Sequence, residues 1–165
     1  PKEYNNSAIC VFNFIKNKLN NKSVEFIFVP GNHDLCNNEF KDYQEFIKRY
    51  NHKINFITDN VSLYETAYVN YLLINTSFHK EISYGNVDLV QLKKHLRGIS
   101  KPIIVVMHHT LMSRYAEDRS GISNAYEFLK QLEGKRVIGI VHGHTHGYSD
   151  ILVGTKFFHL VSKIK

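Results

Sequence analysis

Three short stretches hold most of the residues that could do chemistry. VPGNHDLC at 29–36 leaves the apolar run VEFIFV and presents Asn32, His33 and Asp34 in succession. PIIVVM at 102–107 runs directly into His108 and His109. VIGIVHGHTHG at 137–147 repeats the layout, an apolar run and then His142, His144 and His146. These places hold six of the ten histidines in the chain. Neutral imidazole nitrogens and amide or carboxylate oxygens are ligands for borderline cations such as zinc, manganese and iron. In an extended segment His144 and His146 point to the same side, two residues apart, so G-H-x-H at a strand end suits a metal. A lone histidine is ordinarily a hydrogen-bonded or surface side chain, which is the reading for His52, His79, His95 and His159. Three clusters resist that explanation, because imidazoles buried together without a metal or anion leave donors and acceptors unsatisfied.

Something must bring these clusters together, and the sequence alternates helix and strand. The spacing of Ala8, Phe12, Ile15 and Leu19 predicts a helix over 6–20. VEFIFV predicts a buried strand. Phe40, Tyr43, Ile47 and Tyr50 share a helical face behind a candidate cap at Asn38. INFI, VSLYE and AYVNYLLINTS predict neighbouring strands joined by tight turns. Leu89, Leu92 and Leu96 predict a helix over 86–97, stopped by Gly98. PIIVVM is a buried strand, and HHTLMSRYAEDRSGIS a long polar loop of the sort that carries function. A helix follows over 124–133, with Asn124 and Glu127 at capping-box spacing and Gly134 at its end. RVIGIV is another buried strand, and DILV and KFFHLV predict a closing hairpin. Gly31, Gly143 and Gly147 are expected to serve tight turns. The chain reads as one α/β domain over 1–165. Ligands of open α/β sheets sit beyond the carboxyl ends of the strands, so three strand ends converge on one site.

The bulk properties bound the partners. A length of 165 residues suits one domain with a substantial core. At 43% hydrophobic and 22% charged, the composition is globular and not disordered. The net charge of +6 attracts phosphates and other anions. The basic residues are scattered, however, with no run of the kind that marks a nucleic-acid arm. Two cysteines, Cys10 and Cys36, fit a reducing compartment and so a cytoplasmic protein. No apolar stretch reaches the ~18 residues of a membrane span. The chain starts at Pro1 and its only methionines, Met107 and Met112, are internal, so a processed chain or an excerpt is expected.

G-N-H-D, then H-H after a buried strand, then G-H-T-H, in that order with helices between, resembles the calcineurin-like metallophosphoesterase family. The resemblance covers nearly the whole chain. It implies a two-sheet α/β/β/α sandwich and two divalent ions (manganese, iron, zinc or similar) bridged by a hydroxide. It implies hydrolysis of phosphomonoesters or phosphodiesters, with nucleic acid only as a possible substrate. By matching position, Asn32, His108 and His144 would bind the second metal and His146 the first. His33 would stand near the leaving group as proton donor. Asp34 would hydrogen-bond His33 and hold it oriented and protonated. His109 is expected behind the ligands more than among them. It stays a candidate for substrate contact together with Arg114 and Arg119 of the long loop, whose guanidinium groups could pair with a phosphate.

The family's first two motifs, Asp-x-His and Gly-Asp-x-x-Asp, do not occur in this sequence. Glu3 and Glu25 are the only acidic residues before G-N-H-D. The expectation is therefore a domain truncated at its N-terminus and lacking its first strands. It would hold at most one weak metal site and be inactive alone, with the complete dinuclear site in an intact parent. The competing reading is a non-catalytic scaffold of the same fold that binds a partner. A basic nucleic-acid module is a third, and it lacks the clustered Lys, Arg and aromatic residues such a surface needs.

Overall fold

The computed structural model describes residues 10, 13–14, 17–18, 27–35, 37, 39–50, 59–80, 84–113, 120–145, 149–153 and 158–162. Of the helix expected over 6–20, the described residues Cys10, Asn13, Phe14, Asn17 and Lys18 are helical, whereas INFI lies outside the described residues.

Helix α1, Lys41–Tyr50, places Tyr43 and Phe46 on one buried side. Strand β1, Val61–Glu65, pairs antiparallel with β2, Asn70–Ile74. Thr66 closes their turn: its hydroxyl donates to Val69 O at 2.6 Å and accepts from Val69 N–H at 3.2 Å. Strand β3, Ile103–Met107, runs parallel to β2, and β4, Val137–Val141, parallel to β3. The sheet order is β1-β2-β3-β4. Parallel neighbours need a crossover. Helix α2, Leu89–His95, supplies the first and α3, Ala125–Leu132, the second. The expected closing hairpin forms a separate two-stranded sheet, β5, Ser149–Val153, with β6, Phe158–Ser162. Strand β6 lies beside β4.

Side chains alternate across a strand, and here the two faces build two cores. Leu72, Ile74, Ile103, Val105 and Met107 pack on one side with Leu92 of α2 and Phe128 and Leu132 of α3. Leu73 and Val106 face the other way, onto Tyr43 and Phe46 of α1.

The strand expected from VEFIFV is not formed at residues 27–30. Ile27, Phe28 and Val29 lie over the sheet face that carries Leu73 and Val106. There they meet side chains and not the free edge that a strand ladder requires. Phe28 packs edge-on against Phe46 at 4.9 Å, and Tyr43 OH donates to Phe28 O at 2.9 Å. Aromatic packing on α1 thus aims the segment at the strand ends.

The helix starts differ from expectation in two respects: α2, expected from residue 86, begins at Leu89, and Asn124 does not cap α3. Asp88 caps α2, accepting from Val90 N–H at 3.2 Å and Gln91 N–H at 3.0 Å. Asn124, read as half of a capping box, makes no side-chain cap bond on α3. Its amide faces another segment, accepting from Val87 N–H at 3.0 Å and donating to Val87 O at 2.8 Å. A planar amide satisfies a main-chain donor and acceptor at once, and this bond locks the start of α3 to the segment that leads into α2. Gly98 and Gly134 end their helices at φ of +75° and +74°, the left-handed region that favours glycine.

Candidate functional site

Strands β2, β3 and β4 are parallel, so their carboxyl ends share one edge of the sheet. Thr76 follows β2, His108 and His109 follow β3, and His142 to His144 follow β4. The loops beyond are stitched together. Thr110 bridges Gly121 and Gly85 bridges Ile122, both in parallel sense. Asn86 N–H donates to Thr76 O at 2.9 Å, and Gly143 N–H donates to His108 O at 3.0 Å. Main-chain bonds therefore fix the relative positions of segments distant in sequence.

Three side-chain donors meet at this edge. His108 Nε2 lies 2.9 Å from Asn32 Oδ1 and 3.0 Å from His144 Nδ1. An amide oxygen can only accept, so His108 Nε2 carries the proton. His144 Nδ1 then presents its lone pair to that same proton. One hydrogen sits where three donor atoms converge, and a cation could take its place. Ligands about 2.1 Å from a metal and at right angles to each other are about 3.0 Å apart, which matches both spacings. One amide oxygen and two imidazole nitrogens suit a borderline divalent cation. Among the described residues no three His, Cys, Asp or Glu side chains form a metal cluster; the third donor here is an amide.

Local backbone explains how Asn32 and His144 reach His108. Asn32–Asp34 form a single 3₁₀ turn, and Asp34 Oδ2 accepts from Gly31 N–H at 2.7 Å. The turn buries Asn32 and leaves His33 exposed. Gly31 was expected to serve a tight turn, but its φ of −107° is ordinary. The physical reason for glycine is close approach: a Cβ there would lie 2.7 Å from the His108 ring. The turn geometry expected of Gly143 falls instead on His144, at φ +70°. Thr145 N–H donates to Gly143 O at 2.9 Å, an i to i+2 bond that encloses His144 in a γ-turn of the rare, strained sense.

His109 sits behind this group. Its ring is fully buried, with its centre 4.6 Å from that of His144 and 5.1 Å from that of His108. The His109 side chain thus presents no surface to solvent. His109 Nδ1 bonds Thr76 Oγ1 at 2.7 Å. Gly85 backs the ring, and a Cβ there would lie 2.6 Å from His109 Cγ. Burial first, then His144, His108 and His79, push the His109 pKa down to about 3 from an ordinary 6.5. Thr76 and Gly85 were missed in the sequence, because a hydroxyl and a glycine gain their roles only when β2 and β3 are set side by side.

Acid sensitivity of the metal-free chain follows from that shift. Between the folded value near 3 and the ordinary 6.5, the unfolded chain binds a proton at His109 that the folded chain does not. The stabilisation is therefore complete above about pH 6.5 and is lost as the pH falls towards about 3. With solvent screening among the neighbouring rings discounted, the loss is ~2–3 kcal/mol. Urea melts at about pH 7 and about pH 4.5 measure it. His109→Gln, which cannot titrate, should lose less over the same interval, and equal losses in both proteins would sink the assignment.

His146, Arg114 and Arg119 lie outside the described residues. His142 is buried and its Nδ1 stands 3.2 Å from Gly143 O, a structural position beside the cluster. Among the described residues no helix is long and apolar enough to cross a membrane. A search of curated proteins finds no match to the chain. The calcineurin-like phosphoesterase profile matches residues 4–148, which takes in α1, all four strands of the main sheet and every donor at its edge. The chain belongs to the calcineurin-like phosphoesterase family, whose members hydrolyse phosphate esters with divalent metal ions.

Proposed function

We propose that this chain carries half of a dinuclear phosphoesterase site that cleaves phosphomonoesters or phosphodiesters. The observation that supports it is the convergence of Asn32 Oδ1 and His144 Nδ1 on His108 Nε2, at 2.9 and 3.0 Å. Asn32, His108 and His144 would hold one ion, and His146 would contribute to the other. Bound divalent ions supply Lewis-acid stabilisation of charge at phosphorus. The chain's own residues do the rest. Asp34 fixes the turn through Gly31 N–H, the turn exposes His33, and His33 delivers a proton to the departing oxygen. Arg114 and Arg119 would pair with the phosphate.

The sequence contains neither Asp-x-His nor Gly-Asp-x-x-Asp. Three neutral donors without a bridging carboxylate bind a cation weakly. We therefore expect the 165-residue chain to bind manganese weakly and to turn over no substrate. The test is manganese-dependent, EDTA-sensitive release of p-nitrophenol from its phosphate mono- and bis-esters, alongside the coding sequence upstream of Pro1. Both missing motifs upstream, and activity in the longer product, would support the reading. Turnover by the 165 residues alone would contradict the inactivity expected of this piece. A start codon directly before Pro1, with no turnover, would favour a partner-binding scaffold.

A further inference from the structure

Helices α2 and α3 each return the chain between parallel strands, so they run side by side in the same direction. Asn124 bonds Val87 where the two begin, and Lys135 Nζ donates to Leu96 O at 2.8 Å where they end. Their starts lie at the sheet edge that carries Asn32, His108 and His144, and their ends lie at the far edge. A groove runs between them. It consists of two hollows of about 300 and 350 Å³ that share Lys93, Arg97 and Gln131.

The groove has two kinds of lining. Leu89, Val90 and Leu96 make it apolar, and Val90 is 82% exposed. Lys93, Lys94, Arg97 and Lys135 make it cationic, and no acidic residue lines either hollow. Lys135 joins the other three only through the fold, which is why the sequence reads as scattered charge. The negative ends of two helix dipoles meet here and draw cations to the place. They do not account for the missing counter-charge. Three cations within residues 93–97, with a fourth brought in from beyond α3, repel one another until an anion arrives.

We propose that this groove docks an acidic peptide segment of a partner protein, one whose apolar side chains stand between carboxylates. The aliphatic lining takes the apolar side chains and the four cations take the carboxylates. No aromatic residue lines the hollows, so the stacking that holds a single-stranded nucleic acid is missing. From Leu89 to Arg97 the groove follows roughly 12 Å of helix at 1.5 Å per residue. That is the reach of about four residues of extended chain. So short a contact depends on charge for its encounter rate and its register. The cationic end lies at the far edge of the sheet from the donor cluster, so a docked partner leaves that cluster open.

The test needs neither metal nor turnover. The probe is a fluorescein-labelled synthetic peptide in which each leucine is flanked by glutamates. Its comparison carries serine in place of leucine. Binding to the full chain at low salt is followed by fluorescence anisotropy. The leucine peptide should bind at least about fivefold more tightly than the serine peptide, and Val90→Ser should weaken it about three- to tenfold. Lys93→Glu/Arg97→Glu should weaken it by more than about tenfold. Lys41→Glu/Lys48→Glu makes the same change in net charge on α1, which packs on the other face of the sheet, and should bind as the wild type does. All five substituted side chains are exposed, so both cores stay intact, and circular dichroism checks it.

No binding by the wild type would overturn the docking site. Equal losses in the two charge-reversed proteins would overturn it as well, by reducing it to the attraction of a basic chain for any acidic one. Equal affinity for the two peptides would overturn the apolar half of the recognition and the proposal with it. Adsorption to phosphatidylserine vesicles that Lys93→Glu/Arg97→Glu abolishes, without peptide binding, would assign the groove to a membrane surface instead. Binding should be the same in EDTA and in manganese, so the groove and the ion site stand or fall separately.

Discussion

Replacing His108 with alanine is expected to lower manganese affinity by more than about 100-fold, beyond the 10–100-fold that a lost supporting bond costs. The reason is its central place in the geometry. Its Nε2 is the atom within 3.0 Å of both other donors, so its removal leaves Asn32 and His144 with no common neighbour. His108 also follows β3, which lies between two parallel partners, so the remaining donors cannot shift to compensate. The ring is half-buried and stands outside the apolar clusters, which argues that the fold survives. Manganese binding followed by the spin-resonance signal of the free ion, with circular dichroism as the control for folding, measures the effect. Affinity unchanged in a folded His108→Ala would show that the ion is not held by this group.

The elements that position the site were largely legible in the sequence, and for simple reasons. IIVVM and NYLLI alternate residues that serve two cores, and Gly98 and Gly134 mark helix ends by a conformation other residues avoid. The order of the three chemical clusters was legible as well, because each follows an apolar run. What the sequence hid was every relation across the sheet. VEFIFV has strand composition, but whether it finds an edge or a face depends on where α1 sits. Asn124 has capping-box spacing, but its amide is drawn off by Val87, a residue 37 positions away. Thr76 has no local signature at all, since its partner His109 lies 33 positions away.

Backbone strain marks three non-glycine positions among the described residues, Asn37, Lys80 and His144. A non-glycine residue at positive φ costs of order 1–3 kcal/mol and persists only where surroundings over-determine it. His144 is such a residue, at φ +70°. Glycine would adopt that conformation at no cost, but glycine has no imidazole. The chain keeps the side chain, accepts the strain, and holds it with Gly143 N–H on His108 O at 3.0 Å. The neighbouring Gly31 shows the converse choice. There the side chain is given up so that the His108 ring can come within contact of the backbone.

His33→Ala is expected to leave metal affinity within about twofold of wild type and to lower turnover by about 10²–10⁴-fold, the usual contribution of a general acid. The separation follows from the 3₁₀ turn. Asn32 points inward to His108 at 2.9 Å, and the next residue is exposed. His33 is exposed, so its ring is available to a substrate approaching from solvent. A proton donor matters most when the departing oxygen is strongly basic. An alkyl phosphate ester should therefore suffer the larger part of the loss, and a p-nitrophenyl ester, whose leaving group needs little protonation, the smaller part. The comparison is made in protein shown to be catalytically competent, with kcat and KM determined for both esters. Equal losses on the two substrates would mean that His33 binds the phosphate and does not protonate the leaving group. Loss of metal together with turnover would move His33 into the ligand set and require a different donor at the exposed edge.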